Sequence, residues 1–315
     1  MKKKSIFVTL MLILSFAIFG ESIKVVVPAG LPSISIAKMK KENQEIAGKQ
    51  VEYEIQKNND ALVMSMLKQE GDIAIVPSNF AAQLYNKGLG YKILGTVGWG
   101  SFYIASRDKL NSIGELKNKN IYTFGKGLTP DIVLTTILEM NNLNVPKDVK
   151  VDYVNNGNEL ASLFLARKVD IASIPEPMLS SMMQKDKQVK INFNLNGIWK
   201  NVTGSKWRYP QSTLVVKEEL LKNNSLFVKD FINKLEKSID FLYGKDNNKA
   251  QYIEELNIII NTNILEEIIL KSNLDFVNIG ECKEDYEIYF KILEKNNKKV
   301  IGGQLPDEKI FADIN

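Results

Sequence analysis

Residues 58–78 read NNDALVMSMLKQEGDIAIVPS, and residues 156–176 read NGNELASLFLARKVDIASIPE. The second stretch repeats the pattern of the first after a shift of 98 positions. Such a repeat predicts two lobes of like construction with a cleft between them, and clefts are where proteins bind small ligands. Chance similarity between two ordinary strand–helix–strand units is the alternative interpretation. The identical pairs include Asn58 and Asn156, Leu67 and Leu165, Asp72 and Asp170, Ile73 and Ile171, Ala74 and Ala172, and Pro77 and Pro175.

A segment rich in glycine and proline precedes each copy, at Gly30–Pro32 in the first and at Gly127–Pro130 in the second. Strand patterns alternate with helix patterns along both copies, which predicts parallel sheets and an α/β fold class. In such sheets ligands bind at the loops that follow the strands. Ser33 is predicted to cap a helix that runs from it into the mid-40s.

The chain from Lys217 onwards is mostly helical in pattern, with amphipathic stretches over 226–242 and 264–270. We expect these helices to pack back on the first lobe, and an independent helical domain is the alternative. Trp199 is predicted to lie in a loop together with Trp207 and Tyr209.

The N-terminus has the pattern of a secretory signal peptide. Three lysines at positions 2–4 precede an apolar run from Ile6 to Phe19, and small and polar residues follow at Gly20–Ser22. A membrane-spanning helix needs roughly 20 apolar residues, so cleavage near Gly20–Ser22 is predicted and an uncleaved anchor is the alternative. No cysteine lies near the cut, so a lipid anchor is not expected. The mature product is predicted to be periplasmic.

Composition excludes several kinds of chemistry. The chain contains no histidine and one cysteine, Cys282, which removes Ser-His-Asp and Cys-His catalysis and the common zinc sites. Cys282 is predicted to be a structural thiol in a C-terminal helix. Without the lysines at positions 2–4 the net charge is close to zero, which gives no electrostatic footprint for nucleic acid. A binding protein is therefore favoured over an enzyme.

Four segments together resemble a known family. They are Gly30–Pro32, GDIAIVPS at 71–78, TFGKGLTPDIVL at 123–134 and VDIASIPEP at 169–177. An exported chain with these features resembles the periplasmic solute-binding proteins of ABC importers. Within that class it is similar to the SsuA/THI5-like group, which binds nitrate, sulfonates, taurine or thiamine precursors.

The resemblance implies a two-lobed periplasmic-binding-protein-like fold of type II with two hinge segments, near residues 97–103 and 209–213. The implied division is a signal peptide at 1–22, lobe one at 23–100 plus 210–315, and lobe two at 101–209. The C-terminal helices would pack on lobe one. The hinge would close the lobes over a ligand.

The resemblance also points to loops of both lobes as the ligand site. Glu176 would accept a hydrogen bond from an amino or ring N–H group, and a salt bridge or a helix N-terminal charge is its alternative role. Trp99, Trp207 and Tyr209 would stack on a flat ligand, and core or interlobe packing is the alternative for them. The implied ligand-binding residues are Gly30, Leu31, Pro32, Ser33, Asn58, Asn59, Asp60, Ser78, Asn79, Trp99, Gly127, Leu128, Thr129, Asn156 and Glu176.

The implied function is capture of a small anionic or heteroaromatic nutrient, of the sulfonate, nitrate or pyrimidine class, and its delivery to an ABC permease. The protein would act as a monomer, without cofactor or metal and without nucleic acid. A ligand sensor and an enzyme on the same scaffold are the alternatives. THI5-type pyrimidine synthases use a histidine and a cysteine-rich motif, and this chain has neither.

Overall fold

The computed structural model describes residues 22–313. The predicted signal peptide, apart from Ser22, lies outside the described residues. Within 22–313 no helix combines the length and the apolar character that a membrane crossing requires.

Strands and helices alternate over most of the described chain. The strands are Ile23–Pro28 (β1), Glu45–Ile46 (β2), Lys49–Gln56 (β3), Ile73–Pro77 (β4), Tyr91–Trp99 (β5), Phe102–Ser106 (β6), Asn120–Phe124 (β7), Lys150–Val154 (β8), Ile171–Pro175 (β9), Lys190–Asn194 (β10), Pro210–Lys217 (β11) and Leu274–Asn278 (β12). The α-helices are Leu31–Ile34 (α1), Ala37–Glu42 (α2), Asn59–Leu67 (α3), Ser78–Asn86 (α4), Thr129–Met140 (α5), Gly157–Leu165 (α6), Met178–Lys185 (α7), Leu195–Thr203 (α8), Glu218–Asn223 (α9), Ser225–Tyr243 (α10), Lys249–Glu254 (α11), Leu265–Ser272 (α12) and Ile279–Asn297 (α13). A 3-10 turn over Lys298–Ile301 follows α13 directly.

The strands form two sheets. The larger has the order β12-β5-β11-β4-β1-β3-β2, and the smaller has the order β10-β6-β9-β7-β8. We call the larger sheet with its helices lobe one and the smaller sheet with its helices lobe two. The exact domain boundaries, at 100/101 and 209/210, stay a prediction. The α/β class is confirmed.

Five strands of each sheet correspond position by position. The order in lobe one is β5-β11-β4-β1-β3, and the corresponding order in lobe two is β10-β6-β9-β7-β8. The internal repeat is visible at the level of single atoms. The side chain of Asn58 accepts a hydrogen bond from Ala61 N at 2.9 Å to cap α3, and Asn156 accepts one from Glu159 N at 3.0 Å to cap α6. Helix α3 and helix α6 also begin and end 98 positions apart. The repeat is therefore structural and not chance similarity.

The prediction of parallel sheets holds for β1 with β3 and β4, and for β7 with β8 and β9. It is wrong for the strands that follow the crossings between lobes. Strand β6 is antiparallel to β9, and β11 is antiparallel to β4 and β5. The physical reason is that a chain arriving from the other lobe enters the sheet at its carboxyl edge and so runs against the parallel strands.

Two local predictions are also wrong. Ser33 does not cap a long helix, because α1 begins directly after Gly30 and ends at Ile34, and α2 begins only at Ala37. The Ser33 hydroxyl instead donates to Gly30 O at 2.8 Å. Trp199 lies in helix α8 rather than in a loop, and Asn194 caps that helix through its side chain.

The C-terminal part of the chain is integral to lobe one. Helix α10 buries Phe227 and Phe231 against one face of the larger sheet, as predicted for the tail. Strand β12, which the sequence did not predict, pairs with β5 and so excludes an independent helical domain. Helix α13 packs on the other face and buries Cys282, and it also reaches α5 of lobe two.

Candidate functional site

Parallel strands place their following loops on one edge of each sheet. In lobe one, β1 leads into the loop at Gly30, and β3 leads into the loop at Asn58. Strand β4 is followed directly by Ser78, the first residue of α4. In lobe two, β7 ends at the glycine loop before α5, and β8 and β9 end near Asn156 and Glu176.

Both carboxyl edges adjoin the same double crossing of the chain. At the end of β4, Pro77 pairs with Ser212 of β11, and at the end of β9, Pro175 pairs with Phe102 of β6. A cleft bounded by these two edges is therefore closed at one end by the crossing segments.

The two crossing segments are tied to each other and to lobe two. Ser101 N donates to the side-chain oxygen of Gln211 at 3.0 Å, and Glu176 N donates to Ser101 O at 3.1 Å. The Glu176 loop of lobe two, which the resemblance singled out, is thus fixed directly to the hinge.

The glycine loop of lobe two is held in a defined shape. Gly125 and Gly127 have φ angles of 70° and 72°, a left-handed conformation that other residues rarely adopt. The carboxylate of Asp131 accepts hydrogen bonds from Gly127 N at 2.7 Å and from the Tyr153 hydroxyl at 2.7 Å. The loop presents Leu128 to solvent, and this side chain is 51% exposed.

The carboxyl group of Glu176 is buried at the edge of lobe two, with 4% of the residue exposed. Its oxygens accept from Ser180 Oγ at 2.8 Å and from Ser180 N at 3.4 Å. Burial raises the pKa of Glu176 to about 7, while the Ser180 hydrogen bond and the positive charge of Lys271 act in the opposite direction. Lys271 belongs to α12 of lobe one and donates to the Ser180 hydroxyl at 3.3 Å.

This environment predicts how stability depends on pH. The folded protein keeps the Glu176 proton up to about pH 7, whereas the ordinary pKa is 4.5. Between these values the folded state binds more protons than the unfolded chain, so this group's contribution to the free energy of unfolding falls as the pH rises. We expect the free energy of unfolding, measured with urea, to fall between pH 5 and pH 8 by about 2 kcal/mol less in Glu176→Gln than in the wild-type protein.

Exposed Glu139 provides the matched charge control, because Glu139→Gln removes the same charge from the surface of α5. This variant should keep the pH dependence of the wild-type protein. An identical pH dependence in Glu176→Gln and the wild type would show that the Glu176 carboxyl group has no raised pKa.

A buried chain of hydroxyl groups links the edge of lobe one to α13. Ser78 Oγ lies 2.6 Å from Thr213 Oγ1, which lies 2.7 Å from the Tyr286 hydroxyl. Thr96 Oγ1 donates to the same Tyr286 oxygen at 2.9 Å. The Ser78 side chain is therefore engaged within the protein and is 1% exposed.

An aromatic cluster lies beside the crossing. Trp99 stacks on Trp207 with ring centroids 6.1 Å apart, and Tyr209 stacks on Tyr289 at 6.3 Å. Trp199 meets both tyrosines edge-on, at 5.4 and 6.0 Å. Trp99 and Tyr209 are almost fully buried, so the structure shows interlobe packing for these rings. Stacking on a ligand stays a prediction.

The predicted site residues fall into three groups by accessibility. Asn58, Asn59, Asp60, Leu128 and Asn156 are exposed, and Asn58 and Asn156 use their side-chain oxygens as helix caps. Partly buried are Gly30, Leu31, Pro32, Asn79, Gly127 and Thr129. Fully buried are Ser33, Ser78, Trp99 and Glu176.

The structure places Ser78, Asn79, Gly127 and Thr129, which come from different lobes, along the second half of α13 and the 3-10 turn after it. Asn79 Nδ2 donates to Val300 O, Asn297 Nδ2 to Gly127 O, and the Tyr289 hydroxyl to Thr129 Oγ1. Sequence reasoning missed this segment. Its aromatic spacing signals only a buried helix face, and nothing in it marks contact with a second lobe.

No group of three histidine, cysteine, aspartate or glutamate side chains within residues 22–313 could hold a metal ion. A surface cavity of about 340 Å³ lies among the helices of lobe one, lined by Asp246, Asn247, Lys249, Ala250 and Thr262–Glu267. This cavity shares no residue with the predicted ligand-binding residues.

Two lobes on a double crossing, with the carboxyl edges of both sheets at that crossing, define the periplasmic-binding-protein class of fold. A family model described as NMT1/THI5 like matches residues 91–248, half of the chain. The chain belongs to this family, so the predicted resemblance is confirmed. No match was found among curated proteins.

Solved structures agree on the fold. An ABC transporter structure from Parabacteroides distasonis is 27% identical, with a TM-score of 0.81 over 93% of this chain and 99% of that chain. The alkanesulfonate-binding protein SsuA from Xanthomonas axonopodis, bound to MOPS, is 14% identical with a TM-score of 0.63 over 87% of this chain and 93% of its own. The aliphatic sulphonate binding protein SsuA from Escherichia coli is 10% identical, with a TM-score of 0.65 over 86% and 87%. The last two show the fold alone.

Proposed function

We propose that the protein is the exported solute-binding component of an ABC importer, and that it captures one small nutrient between its lobes for delivery to a membrane permease. The observation that carries the proposal is the meeting of both sheet edges at one double crossing. This arrangement lets a ligand contact both lobes at once, and closure about the crossing then encloses it. The NMT1/THI5-like membership and the similar ABC transporter structure support it.

The proposed ligand is a small anion or a flat nitrogen heterocycle, of the sulfonate, nitrate or pyrimidine class. For an anion, the free backbone N–H groups at the starts of α4 and α5 supply partial positive charge. For a heterocycle, the Glu176 carboxylate is the proposed acceptor. The SsuA proteins bind sulfonates, and that property supports the sulfonate class for this chain only through the shared fold.

Arginine is not the proposed anion contact. The chain has three arginines. Arg107 bonds to Asp186 and to Phe164 O, Arg167 bonds to Gln188, and Arg208 bonds to Asn273. Their guanidinium groups therefore face protein partners. An anionic ligand would depend on helix N-termini and on lysine, such as Lys126 in the glycine loop.

Binding without turnover is part of the proposal, with the protein acting as a monomer in the periplasm. The first test is native mass spectrometry of the protein from Ile23 onwards, followed by denaturing extraction. A stoichiometric small-molecule adduct that is released unchanged supports the proposal and identifies the ligand class. Release of a chemically altered compound during incubation would contradict it.

The second test uses taurine, nitrate and 4-aminopyrimidine as probes. A probe that binds the folded state should raise the free energy of unfolding by about 2.7 kcal/mol at a hundredfold excess over its Kd. All three tryptophans, Trp99, Trp199 and Trp207, lie beside the crossing, so closure should also change their fluorescence. If no adduct is found and no probe from the three classes stabilises the protein, the proposed ligand classes are contradicted.

A further inference from the structure

One segment of lobe one contacts the candidate ligand loops of both lobes. It comprises the second half of α13 and the 3-10 turn after it, Tyr286–Ile301, and we call it the clasp. The clasp lies outside every sequence motif that pointed to the site.

The clasp makes two neutral hydrogen bonds to lobe two, in addition to the edge-on contact of the Tyr289 ring with Trp199 of α8. Asn297 Nδ2 donates to Gly127 O at 2.8 Å, and the Tyr289 hydroxyl donates to Thr129 Oγ1 at 3.3 Å. Both acceptors lie in the segment that shapes the glycine loop and starts α5. The clasp therefore holds the loop at its backbone and at the first residue of the helix.

The contacts of the clasp with lobe one are more extensive. Tyr286 is buried in the hydroxyl chain that leads to Ser78, and Val300 O accepts from both Asn79 Nδ2 at 3.1 Å and Gln83 Nε2 at 2.8 Å. Val300 and Ile301 are buried in the core. When the lobes separate, the clasp should therefore stay with lobe one and release lobe two.

A second set of interlobe contacts lies on the opposite face of the crossing. Lys271 Nζ donates to Ser180 Oγ at 3.3 Å, and Asn261 Nδ2 donates to Gln184 Oε1 at 2.7 Å. These contacts join α12 and the turn before it to α7. They do not touch the glycine loop. Within residues 22–313, the hydrogen bonds from lobe one to that loop and to the first residue of α5 come from the clasp alone.

We propose that the clasp sets the balance between open and closed lobes, with Asn297 and Tyr289 as positioning residues that hold the lobe-two glycine loop in its closed place. The inference rests on the proposed function, in which closure encloses the ligand. A more populated closed state raises apparent affinity, because ligand binding to both lobes requires that state.

The test measures lobe separation without any ligand. Spin labels at Lys57→Cys and Asn158→Cys, both exposed and at the carboxyl edges of opposite lobes, report the interlobe distance by pulsed electron paramagnetic resonance. Cys282 is 0% exposed, so labelling should be confined to the two introduced cysteines. The wild-type protein should show a short-distance population.

The variant Asn297→Asp with Tyr289→Phe removes both donors and keeps the shapes of the side chains. The carboxylate introduced at position 297 can still accept from Lys299 N, as the Asn297 side-chain oxygen does at 3.3 Å. Each lost hydrogen bond should lower the ratio of short to long distances by about two- to tenfold. The control is Asn296→Asp, because Asn296 is exposed and donates only to Ile292 O within α13.

An unchanged distance ratio in the double variant, or a wild-type protein with only the long distance, would overturn the proposal. A double variant that shifts the ratio no more than Asn296→Asp does would also overturn it. Thermal unfolding of each variant separates loss of closure from loss of folding, because closure should change with little change in Tm. No ligand is used, so failure here is distinguishable from failure of the proposed function, which native mass spectrometry tests.

Discussion

Gly100→Ala is expected to destabilise the protein by about 3 kcal/mol, because no space exists at the crossing for a single methyl group. A Cβ atom at Gly100 would lie 1.8 Å from Tyr209 Cζ and 2.2 Å from the Tyr209 hydroxyl oxygen. The ring cannot turn away, since it is 0% exposed and is stacked on Tyr289. The backbone cannot shift easily either, because Gly100 N donates to Tyr209 O at 3.1 Å and Gly100 O accepts from Asn273 at 2.8 Å.

Urea unfolding followed by tryptophan fluorescence measures this loss as a lower midpoint. Gly197→Ala is the matched control, since Gly197 lies exposed in α8 with nothing within 4 Å of an added Cβ atom. That control should be neutral or stabilising by up to about 1 kcal/mol. In a Tyr209→Ala background, Gly100→Ala should cost far less. An equal cost in both backgrounds would show that the Tyr209 ring is not the cause.

The internal repeat accounts for how much of the fold could be predicted from the sequence. The caps at Asn58 and Asn156 and the strands that end at Pro77 and Pro175 depend on local chemistry, namely side-chain capping and short buried strands. Such features depend on residues that are close together in the sequence, so they can be predicted from it. The equal strand order of the two lobes follows once the repeat is recognised.

The strands at the crossings could not be predicted in the same way. Their direction depends on which lobe the preceding segment came from, and β12 pairs with β5 across more than 170 residues of chain. Its sequence, LDFVN at 274–278, is short and lies between two helices, so local propensity gives little reason to expect a strand. Tertiary pairing decides this element.

The candidate site also contains some features that depend on local sequence and others that depend on long-range contacts. The loops at Gly30, Gly127 and Glu176 were predicted because strand ends and glycines are local features. The clasp was not, because hydrogen bonds such as Asn297 to Gly127 join residues 170 positions apart. Ser78 illustrates both cases, because its place directly after strand β4 is a local feature, whereas its hydrogen bond with Thr213 joins residues 135 positions apart.

Tyr286→Ala is expected to cost about 3–5 kcal/mol, the largest loss among the variants considered. The side chain is 0% exposed and packs against Phe290 and Phe311, with ring centroids 5.6 and 6.1 Å away. Removing it leaves a cavity between α13 and the strands that lead into the crossing. It also removes the hydroxyl group that joins the side chains of Thr213 and Thr96 by hydrogen bonds.

Tyr286→Phe separates the hydroxyl group from the ring. The ring then stays packed, while Thr96 loses its 2.9 Å acceptor and keeps only a 3.8 Å contact with Cys282 Sγ. A buried hydroxyl left in this way should cost about 1–3 kcal/mol. Tyr252→Phe is the control, because its hydroxyl donates to Glu42 in an exposed position and should change stability by less than about 0.5 kcal/mol.

Urea midpoints at constant slope give the loss of stability in Tyr286→Ala, Tyr286→Phe and Tyr252→Phe. The order of these three losses separates the role of the hydroxyl group from that of the ring. A loss in Tyr286→Phe close to that in Tyr286→Ala would assign the stability to the hydroxyl chain. A loss close to that in Tyr252→Phe would assign it to packing of the ring alone. The structure predicts an intermediate value, because α13 is fixed to lobe one by both the buried ring and the hydrogen bonds that end at Ser78, where the candidate ligand edge begins.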